Sequence, residues 1–596
     1  MGDYPQCRKS RRAGRWRGCP AAVAAAAALL LAMSAAAADR PAGQPFATRS
    51  PVLATRGLVC ASQPLAARVG VEILQRGGSA VDAAIAVNAA LALMEPTSCG
   101  LGGDLFAIVW NPQDLQLHGL NASGRAPAAM TLEQARAAAG GDRLPDYGPL
   151  TVTVPGCVDG WIALHDRFGR LSLKDVLAPA VRYARDGFPV TEVIAHYWKF
   201  AEQRYADRPE FGATFLPGGR APRAGEVFRN PHLAKTLEEI GKHGRKAFYE
   251  GELARRIAAC VQEAGGFLSV TDLAANRPEW VAPVSTSYRG YDVWELPPNG
   301  QGAVVLQMLN MLEPHDLRAL GFGSAEYLHL LAEVKKICYA DRAVFYADPA
   351  FADLPLARLL DKDYARMRLT LFDPQRASLA VPPGDLPVRL RAAAGALPAP
   401  PEDGDTIYLT VVDRDRNAVS LIQSNYAGFG SGLVPREAGF GLQNRGNLFS
   451  LDPAHANCLA PGKRPFHTII PAMVTKDGRP VFTFGVMGGD MQPQGHVQVL
   501  VNLIDFGMNV QEAGDAPRLR HTGSAEPTGE AMTDGGLLHL EHGLADSVLV
   551  ELRLRRHNVG SSAVSYGGYQ GIWIDWERGV LQGGSESRND GCAVGY

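Results

Sequence analysis

The chain has 596 residues, of which 46% are hydrophobic and 20% charged, so it can bury a large core and hold more than one domain. Its formal net charge of -2 gives no electrostatic reason to expect a nucleic acid or an anionic membrane surface as a partner. These values indicate a globular protein whose partners are of another kind.

The first 38 residues have the pattern of a signal peptide. A basic segment at 8–17 precedes an apolar, alanine-rich run at 21–38, and small residues stand before Asp39. We therefore predict removal of residues 1–38 and export to the periplasm or beyond. Because the apolar run is close to the minimum spanning length, an uncleaved membrane anchor is the alternative. Ser10-Arg11-Arg12 also resembles part of a twin-arginine export signal.

The cysteines give no sign of a metal site or of a disulfide framework. Of the nine cysteines, Cys7 and Cys19 belong to the leader, and the others are scattered without a CxxC or Cys/His spacing. We predict that most of the remaining cysteines are small buried side chains. Neither a metal nor another cofactor is expected.

The body of the chain begins with a helix and a strand joined by a glycine-rich loop. Apolar residues recur at three- and four-residue spacings over 64–93, where Gly77-Gly78 interrupts them. The loop 100–104 then leads into an apolar run at 105–110, which is typical of a strand. The loop lacks the GxxxxGK[ST] and GxGxxG patterns and so does not indicate a phosphate site.

Arg125 is the only cation in the turn-rich loop 121–127. A lone arginine in a loop is usually a solvated surface residue. Its guanidinium also suits a carboxylate, so Arg125 is a candidate ligand if the loop lines a pocket.

The middle of the chain alternates helices and strands, which favours a layered α/β or α+β body. Residues 172–261 are predicted to be mostly helical, 288–296 to form a strand and 302–312 a helix. A long helix is predicted at 326–345. Several of its charged residues stand at i,i+3 and i,i+4 spacings, which indicates a solvated face.

Residues 373–405 are rich in Pro, Ala and Arg and have the composition of an exposed linker. They end at Asp405-Thr406, where the pattern changes to that of a strand. A cut after Asp405 would make Thr406 a new N-terminus, carrying a nucleophilic hydroxyl and an α-amine able to act as its base. The alternative is that Asp405 and Thr406 only begin a strand.

Thr406 begins a predicted β-hairpin. Strands at 406–412 and 418–425 flank a turn, and a hairpin centred on Asp415 places Ser424 opposite Thr406. This register brings two hydroxyl groups within hydrogen-bond reach.

Two more strands are predicted at 468–474 and 481–484, followed by Gly488-Gly489 and a helix at 497–506. Adjacent glycine N–H groups near the start of a helix can bind a developing oxyanion. A simple turn is the alternative for these two glycines.

Taken together, these motifs resemble the gamma-glutamyltransferase family of N-terminal nucleophile hydrolases, from about residue 57 to the end of the chain. In the first half the resemblance is carried by the motifs at 77–84, 100–104, 155–156, 288–291 and 339–342. In the second half it continues through Gly404-Asp405-Thr406, Lys463-Arg464-Pro465, Gly488-Gly489 and Gly595-Tyr596.

The resemblance implies an α+β, four-layer αββα sandwich and a precursor that cuts itself into two subunits forming one globular body. The large subunit would be 39–405 and the small catalytic subunit 406–596. The Thr406 hydroxyl would attack the Asp405 carbonyl, and the freed α-amine of Thr406 would serve as base in the mature enzyme. Gly488 and Gly489 would form the oxyanion hole, and Ser424 matches a family threonine that hydrogen-bonds the nucleophile.

The implied activity is γ-glutamyl hydrolysis or transfer, with the acyl group passed to water or to an amino acid or peptide. The implied partners are a small-molecule or peptide amide substrate and the second subunit of the same precursor. The predicted substrate-binding residues are Arg125, Asn425, Arg445, Asn447, His467 and Thr468.

The chain departs from the family at the positions that would surround the acyl group. Arg125 stands about two positions later than the family arginine, and the amine-binding aspartate falls on Leu448, beside Asn447. Arg445 replaces a glutamine or glutamate, and His467-Thr468 replace paired serines. Because these changes move the pocket from acidic toward basic, an acyl group with a carboxylate and no amine, such as glutaryl, is the alternative.

His467 is either a polar pocket residue or a structural histidine. A related acylase is thus the second candidate enzyme, and a catalytically silent secreted binding protein of the same fold is the third candidate. The sequence contains no GxSxG or HExxH motif of another hydrolase class.

Overall fold

Two sheets of strands rich in valine, isoleucine and aromatic residues, together with the helices that pack on them, build the core of this computed structural model, which describes residues 42–390, 405–560 and 564–596. The strands before residue 405 are β1 (Val52–Ala54), β2 (Leu58–Ala61), β3 (Asp104–Asn111), β4 (Gln116–Ala122), β5 (Phe188–Pro189), β6 (Val227–Phe228), β7 (Glu279–Val281), β8 (Val284–Tyr288), β9 (Tyr291–Glu295), β10 (Ala352–Asp353) and β11 (Arg389–Leu390). Those that follow are β12 (Asp405–Val412), β13 (Ala418–Tyr426), β14 (Ala472–Lys476), β15 (Arg479–Val486), β16 (Leu519–Thr522), β17 (Leu537–Leu540), β18 (Tyr569–Asp575), β19 (Val580–Ser585) and β20 (Cys592–Gly595).

Two seven-stranded sheets lie face to face. One has the order β20-β2-β12-β13-β3-β4-β7 and the other the order β1-β19-β18-β15-β14-β9-β8. Their inner faces meet through buried side chains, and the Thr410 hydroxyl on β12 lies 2.9 Å from that of Thr483 on β15. Each sheet contains strands from both sides of residue 405.

Helices cover the outer face of each sheet. The helices of eight or more residues are Pro64–Gln75, Ala80–Met94, Leu132–Ala139, Cys157–Phe168, Leu173–Asp186, Pro231–His243, Glu252–Glu263, Gly302–Leu312, Ala325–Phe345, Lys362–Leu369, Met491–Ile504 and Asp546–Leu554. Pro64–Gln75 and Ala80–Met94 pack on the sheet that holds β12, while Gly302–Leu312 and Met491–Ile504 pack on the other sheet. The predicted four-layer αββα sandwich is therefore confirmed, within one compact unit at Phe46–Tyr596.

The helix predicted at 64–93 is confirmed as two helices separated at Gly77-Gly78. Gly77 has a φ of +92°, and its N–H bonds to the Leu74 carbonyl, so the chain leaves the first helix there. Ser79 then caps the second helix in a reciprocal pair of hydrogen bonds with Asp82. The second helix is buried along its whole length because its many alanines allow close packing on both faces.

The hairpin register is also confirmed. Ile407 pairs with Gln423, and the same register continues to Val412 and Ala418. At the open end of the hairpin Asp405 pairs with Tyr426, so the ladder is irregular around Thr406. This irregularity removes Thr406 from the regular ladder.

The prediction of a solvated face on the long helix is wrong. Helix Ala325–Phe345 is almost entirely buried, and its charged side chains pair inside the protein. Glu333 lies 2.8 Å from the Lys336 ammonium, and Arg368 lies 3.1 Å from Asp341. Charges at helical spacing look the same in sequence whether their partners are solvent or other buried groups.

Three element boundaries also differ from prediction. The single strand predicted at 288–296 is instead the end of one hairpin strand and the start of the next, because Arg289 and Gly290 turn the chain at positive φ. The strand predicted at 468–474 begins only at Ala472, and the helix predicted at 497–506 begins at Met491.

Part of the predicted linker, at 391–404, lies outside the described residues, and the predicted leader at 1–38 lies wholly outside them. Residues 373–388 are largely exposed but are attached to the buried helix, where Ser378 donates its N–H to Glu333 and Gly384 donates its N–H to Asp341. The seven cysteines in the described ranges are free thiols, and five are buried, as predicted for most of them. No helix among the described residues is long and apolar enough to cross a membrane.

Candidate active site

A cavity of about 630 Å³ opens at the start of β12. Asp405 and Thr406 line it together with Gly488. Its remaining lining residues are Glu95, Thr97, Ser98, Tyr147, Ile194, His196, Tyr197, Phe200, Ala201, Arg204, Tyr205, Gly428, Phe429, Met487, Arg520, Val564, Ser565, Gly567, Gly568 and Asn589. The cavity thus combines a predicted nucleophile, a predicted oxyanion-binding glycine and a set of acidic and basic side chains from distant parts of the chain.

Thr406 and Ser424 are in contact at the edge of this cavity. The Thr406 hydroxyl lies 3.4 Å from the Ser424 hydroxyl, and both side chains are buried. Ser424 donates its own proton to the Asp405 carbonyl oxygen at 2.8 Å and accepts from the Tyr426 N–H at 2.8 Å. The hydroxyl of Thr406, the predicted nucleophile, is therefore in the residue that follows a carbonyl group polarised by a hydrogen-bond donor.

Gly488 and Gly489 form the turn before helix Met491–Ile504. Their φ angles are +110° and +56°, a region that favours glycine. Among the described residues, no hydrogen bond from either N–H group is found, whereas both carbonyls accept bonds from the first turn of the helix. Gly488 lines the cavity and can offer its N–H group to an oxyanion there, whereas Gly489 is not among the lining residues.

The sequence did not reveal the residues that hold this turn. Gln301 donates to the Gly489 carbonyl at 3.0 Å and to the Thr468 carbonyl at 2.7 Å. Arg342 donates to Gln301 and to Asp490, each at 2.6 Å, and also to Glu526. Arg342 belongs to the helix for which the sequence predicts a solvated face, and no sequence pattern indicates its position beneath the turn.

Arg445 and Thr468, both predicted to bind substrate, contact each other. The Arg445 guanidinium donates to the Thr468 hydroxyl at 2.7 Å and lies 4.5 Å from the centre of the Tyr426 ring. Burial lowers the pKa of Arg445 to about 10, and the Asp104 carboxyl offsets part of this effect. Within the described ranges, its Nε and Nη2 atoms lack a hydrogen-bond partner.

His467 belongs to the same buried cluster, where it pairs with Asp104. Its Nε2 lies 3.1 Å from Asp104, and its Nδ1 accepts the Ile469 N–H at 3.4 Å. Burial, together with the charge of Arg445, holds the pKa of His467 well below its ordinary value. Burial also raises the pKa of Asp104 to about 7, against the lowering effect of Arg445. The ring is thus neutral and donates its Nε2–H to Asp104.

Arg125 lies apart from the Thr406 cavity. Its guanidinium is 2.6 Å from Glu279 and 3.7 Å from Asp348, and it donates to the Gly462 carbonyl at 3.0 Å. It is not among the residues that line the cavity of Thr406. Arg125 stands about two positions later in the sequence than the family arginine, and in the structure its charge is already paired with these two carboxylates.

Asn425 and Asn447, both predicted to bind substrate, form hydrogen bonds with neighbouring segments of the chain. The Asn425 N–H donates to the Ser98 carbonyl at 3.0 Å, which ties the end of β13 to the cavity wall. The Asn447 amide lies 3.3 Å from both the Pro145 carbonyl and the Asp146 carboxyl. Neither side chain lines the cavity.

One group of side chains has the composition of a metal site but a different role. Possible ligand atoms of His329, Glu333 and His557 lie within 4.8 Å of one another. The two rings are joined by a 2.7 Å hydrogen bond, and the Lys336 ammonium lies 2.8 Å from Glu333. A resident cation would have to displace both interactions, so the cluster is better described as a buried hydrogen-bonded ion pair.

Comparison with known proteins extends the similarity across nearly the whole chain. A family model described as Gamma-glutamyltranspeptidase matches residues 66–596. A glutathione hydrolase-like YwrD proenzyme of Bacillus subtilis (strain 168) is 40% identical over 91% of this chain and 99% of its own length. An acylase ACY 1 proenzyme of Pseudomonas sp. (strain V22) is 36% identical over 92% of this chain and 94% of its own length.

A solved structure is similar to the same extent. The crystal structure of cephalosporin acylase from Bacillus halodurans gives a TM-score of 0.84 at 42% identity, covering 94% of this chain and 98% of that one. The matched region therefore includes both the helical part of the chain before residue 405 and the hairpin that begins there.

Proposed function

Because the chain belongs to the gamma-glutamyltranspeptidase family, enzymes with the N-terminal nucleophile hydrolase fold, we propose that Thr406 is both its processing site and its nucleophile. In self-cleavage the Thr406 hydroxyl oxygen bonds to the Asp405 carbonyl carbon, and the bond from that carbon to the Thr406 nitrogen breaks. Water then hydrolyses the ester, leaving an Asp405 carboxylate and a free Thr406 amine. The products are a large subunit ending at Asp405 and a small subunit starting at Thr406.

The observation that carries this proposal is the hydrogen bond from Ser424 to the Asp405 carbonyl, beside the Thr406 hydroxyl. A donor on the carbonyl oxygen stabilises the negative charge that develops there as the hydroxyl attacks. The irregular ladder around Thr406 supports the same step, because a residue outside the ladder is free to turn toward its preceding carbonyl.

In the mature enzyme the Thr406 amine acts as the base. An α-amine has a reference pKa of about 7.7–8.0, so it is partly deprotonated near neutral pH and can accept the hydroxyl proton. Thr406 then attacks the substrate amide, and the N–H groups of Gly488 and Gly489 bind the oxyanion. The acyl-enzyme is released by water in hydrolysis, or by the amine of an amino acid or peptide in transfer.

We propose γ-glutamyl amides of the glutathione type as the acyl donors. A second candidate, a glutaryl or similar acyl group without an amine, is favoured by one specific observation. The cavity contains Arg204 and Arg520, while Leu448 stands where the family has an amine-binding aspartate. Relatives named as acylases agree with this candidate.

Two measurements test the proposal. Denaturing gels and N-terminal sequencing should find two fragments, the smaller starting at Thr406, while the Thr406→Ala variant stays intact. Incubation of the cut enzyme with glutathione and with glutaryl amides should release glutamate from the first. Rapid glutaryl cleavage without glutamate release would instead select the second candidate, and a wild-type chain that remains whole and inactive would indicate a silent binding protein.

We further propose that the protein is exported. The basic and apolar pattern of residues 1–38 supports export, although these residues lie outside the described part of the structure. Sequencing the N-terminus of protein recovered from the periplasm tests this proposal, and an N-terminus near Asp39 is the expected result.

A further inference from the structure

A buried carboxyl group lines the same cavity as the proposed scissile bond. Glu95 ends the helix Ala80–Met94 and is only 4% exposed, yet it lines the same cavity as Asp405 and Thr406. Its carboxylate accepts a 2.5 Å hydrogen bond from the Ser62 hydroxyl. The mechanism described above assigns this group no role.

The segment that follows Glu95 fixes its position relative to the hairpin. The Thr97 carbonyl accepts the Phe429 N–H at 2.8 Å, and the Ser98 carbonyl accepts the Asn425 N–H at 3.0 Å. Asn425 directly follows Ser424, which contacts Thr406. Glu95 is therefore held on a wall that is bonded to the end of β13, rather than on a free loop.

Self-cleavage at Thr406 needs a base that the uncut chain does not possess at Thr406 itself. Before the cut the Thr406 nitrogen is part of a peptide bond, and its lone pair is delocalised into the carbonyl. The base of the mature enzyme therefore does not yet exist. The hydroxyl proton must go to another group in the cavity, and the leaving nitrogen must receive a proton.

We propose that Glu95 is the proton carrier for this first cut. Its carboxylate accepts the Thr406 hydroxyl proton, directly or through one water in the cavity, as the oxygen bonds to the Asp405 carbon. It then gives the same proton to the Thr406 nitrogen as the carbon–nitrogen bond breaks. The proton count balances, and the later hydrolysis of the ester consumes one water. This inference rests on the proposed function of Thr406.

The surroundings of Glu95 set the pH at which it can act. Burial, with smaller contributions from Asp590 and Asp405, raises the pKa of Glu95 to about 8 against the lowering effect of the Ser62 hydrogen bond. The other charged or titratable groups around it and the cavity are Cys99, Tyr147, His196, Tyr197, Arg204, Tyr205 and Arg520. The fraction of Glu95 able to accept a proton, and hence the rate of the first cut, should rise with pH through about 8.

The test follows self-cleavage of the full-length chain, made by cell-free translation at pH 6 and then shifted to a series of pH values up to 10. Denaturing gels give the rate at each pH. The wild-type rate should rise to a plateau with a midpoint near pH 8. The Glu95→Gln variant should cut about 10²–10⁴-fold more slowly at the plateau, the range usual for loss of a general base. The exposed Glu577→Gln change is the matched control and should cut at the wild-type rate.

Two further variants separate this role from a structural one. Ser62→Ala removes a hydrogen bond that favours the ionised carboxyl, so the midpoint should move to higher pH. Some Glu95→Gln chains will still become cut, and their rate of amide hydrolysis per chain can be compared with that of cut wild-type chains. The fold-decrease in this hydrolysis rate should be at least about ten times smaller than the fold-decrease in the rate of self-cleavage. This split is expected because the Thr406 amine has by then become available as the base.

The outcomes distinguish this inference from the proposed function. A wild-type profile that is flat from pH 6 to 10, or a Glu95→Gln variant that cuts at the wild-type rate, overturns the role of Glu95 alone. If Thr406→Ala is cut at the same bond as wild type, the proposed nucleophile is wrong, whatever Glu95 does. If Glu95→Gln fails to fold, the wild-type profile and the Ser62→Ala shift still decide the question.

Discussion

The Ser424 hydroxyl donates a 2.8 Å hydrogen bond to the carbonyl oxygen of Asp405, the residue that precedes the predicted nucleophile. The same hydroxyl accepts the Tyr426 N–H, which fixes the direction of its own proton. One side chain on β13 thus bonds to the carbonyl of the peptide bond on β12 at which we propose that the chain is cut.

Replacing Ser424 tests this arrangement. Ser424→Ala removes the donor from the Asp405 carbonyl and should slow self-cleavage by about 10²–10³-fold, the usual effect of losing one oxyanion donor. Ser424→Thr keeps the hydroxyl and should cut at a rate close to that of wild type. Gel time courses on freshly made precursor measure both rates. Equal rates for the alanine variant and wild type would remove Ser424 from the mechanism.

Arg342 should be important for both stability and activity. It is fully buried and bonded to Asp490, Glu526 and Gln301 beneath the Gly488-Gly489 turn. Arg342→Met leaves two carboxylates without their partner and should lower the free energy of unfolding by about 3–5 kcal/mol. Urea denaturation measures this change.

The matched control is Arg366→Met, since Arg366 is an exposed arginine on helix Lys362–Leu369 and should change stability by no more than about 0.5 kcal/mol. Arg342→Met should also lower kcat, because Asp490 and Gln301 hold the turn that we propose supplies the oxyanion donors. If stability falls while kcat stays at the wild-type value, the turn does not depend on this network.

Glu295 and His496 should behave as a neutral pair. Their side chains are fully buried and 2.8 Å apart. Burial raises the pKa of Glu295 well above its ordinary value and lowers the pKa of His496 to about 3, so the protonated carboxyl donates to the neutral ring. Glu295→Gln preserves a donor and should change the free energy of unfolding by less than about 1 kcal/mol.

Glu295→Leu leaves the ring nitrogen unsatisfied and should cost about 1–3 kcal/mol. The two variants together discriminate between a neutral and an ionic pair. If the pair were ionic, Glu295→Gln would leave a buried imidazolium unpaired and would itself cost about 3–5 kcal/mol in the urea experiment.

The Glu95 carboxyl should make stability depend on pH in a predictable direction. Its pKa is about 8 in the folded protein, against 4.5 for an ordinary glutamate, so the folded state holds one proton more between these two values. Stability from this group is therefore lost as pH rises from 4.5 to 8, at about 1.4 kcal/mol per pH unit.

The Thr406→Ala change keeps the chain uncut, so stability can be measured on a single polypeptide. The difference in unfolding free energy between Thr406→Ala and Thr406→Ala/Glu95→Gln then isolates the contribution of the Glu95 carboxyl. The glutamine variant should gain relative stability by about 3–5 kcal/mol between pH 5 and pH 9. A difference that stays constant over this range would show that Glu95 is ionised in the folded protein throughout.

Local pattern was sufficient to predict much of the fold. The split helix at 64–93 and the register of the β12–β13 hairpin depend on turn residues and on periodicity, which neighbouring residues carry. The same local information brought Thr406 and Ser424 together. The glycine pair alone was equally consistent with a simple turn, and only the family resemblance indicated Gly488 as a site residue; Gly488 does line the cavity.

The remaining parts of the site depend on contacts between distant segments. Glu95 is a single acidic residue at a helix end, and Arg204 lies on a short helix that is distant from the hairpin along the sequence. Neither cavity residue has a sequence pattern that distinguishes it from a surface charge. The loop and the family resemblance make Arg125 a candidate carboxylate ligand, but Glu279, 154 residues away, pairs with its guanidinium. The solvated face predicted for the helix that carries Arg342 is wrong for the same reason.

The distribution of strands between the two sheets determines what the cut chain can become. In one sheet β12 lies between β2 and β13, and in the other β14 lies beside β9, so segments from both sides of Asp405 are direct neighbours in each sheet. Once the peptide bond at Thr406 is broken, neither polypeptide retains a complete sheet of its own. The two polypeptides would then unfold together as one cooperative body, and recovery after denaturation would become a bimolecular reaction that depends on protein concentration.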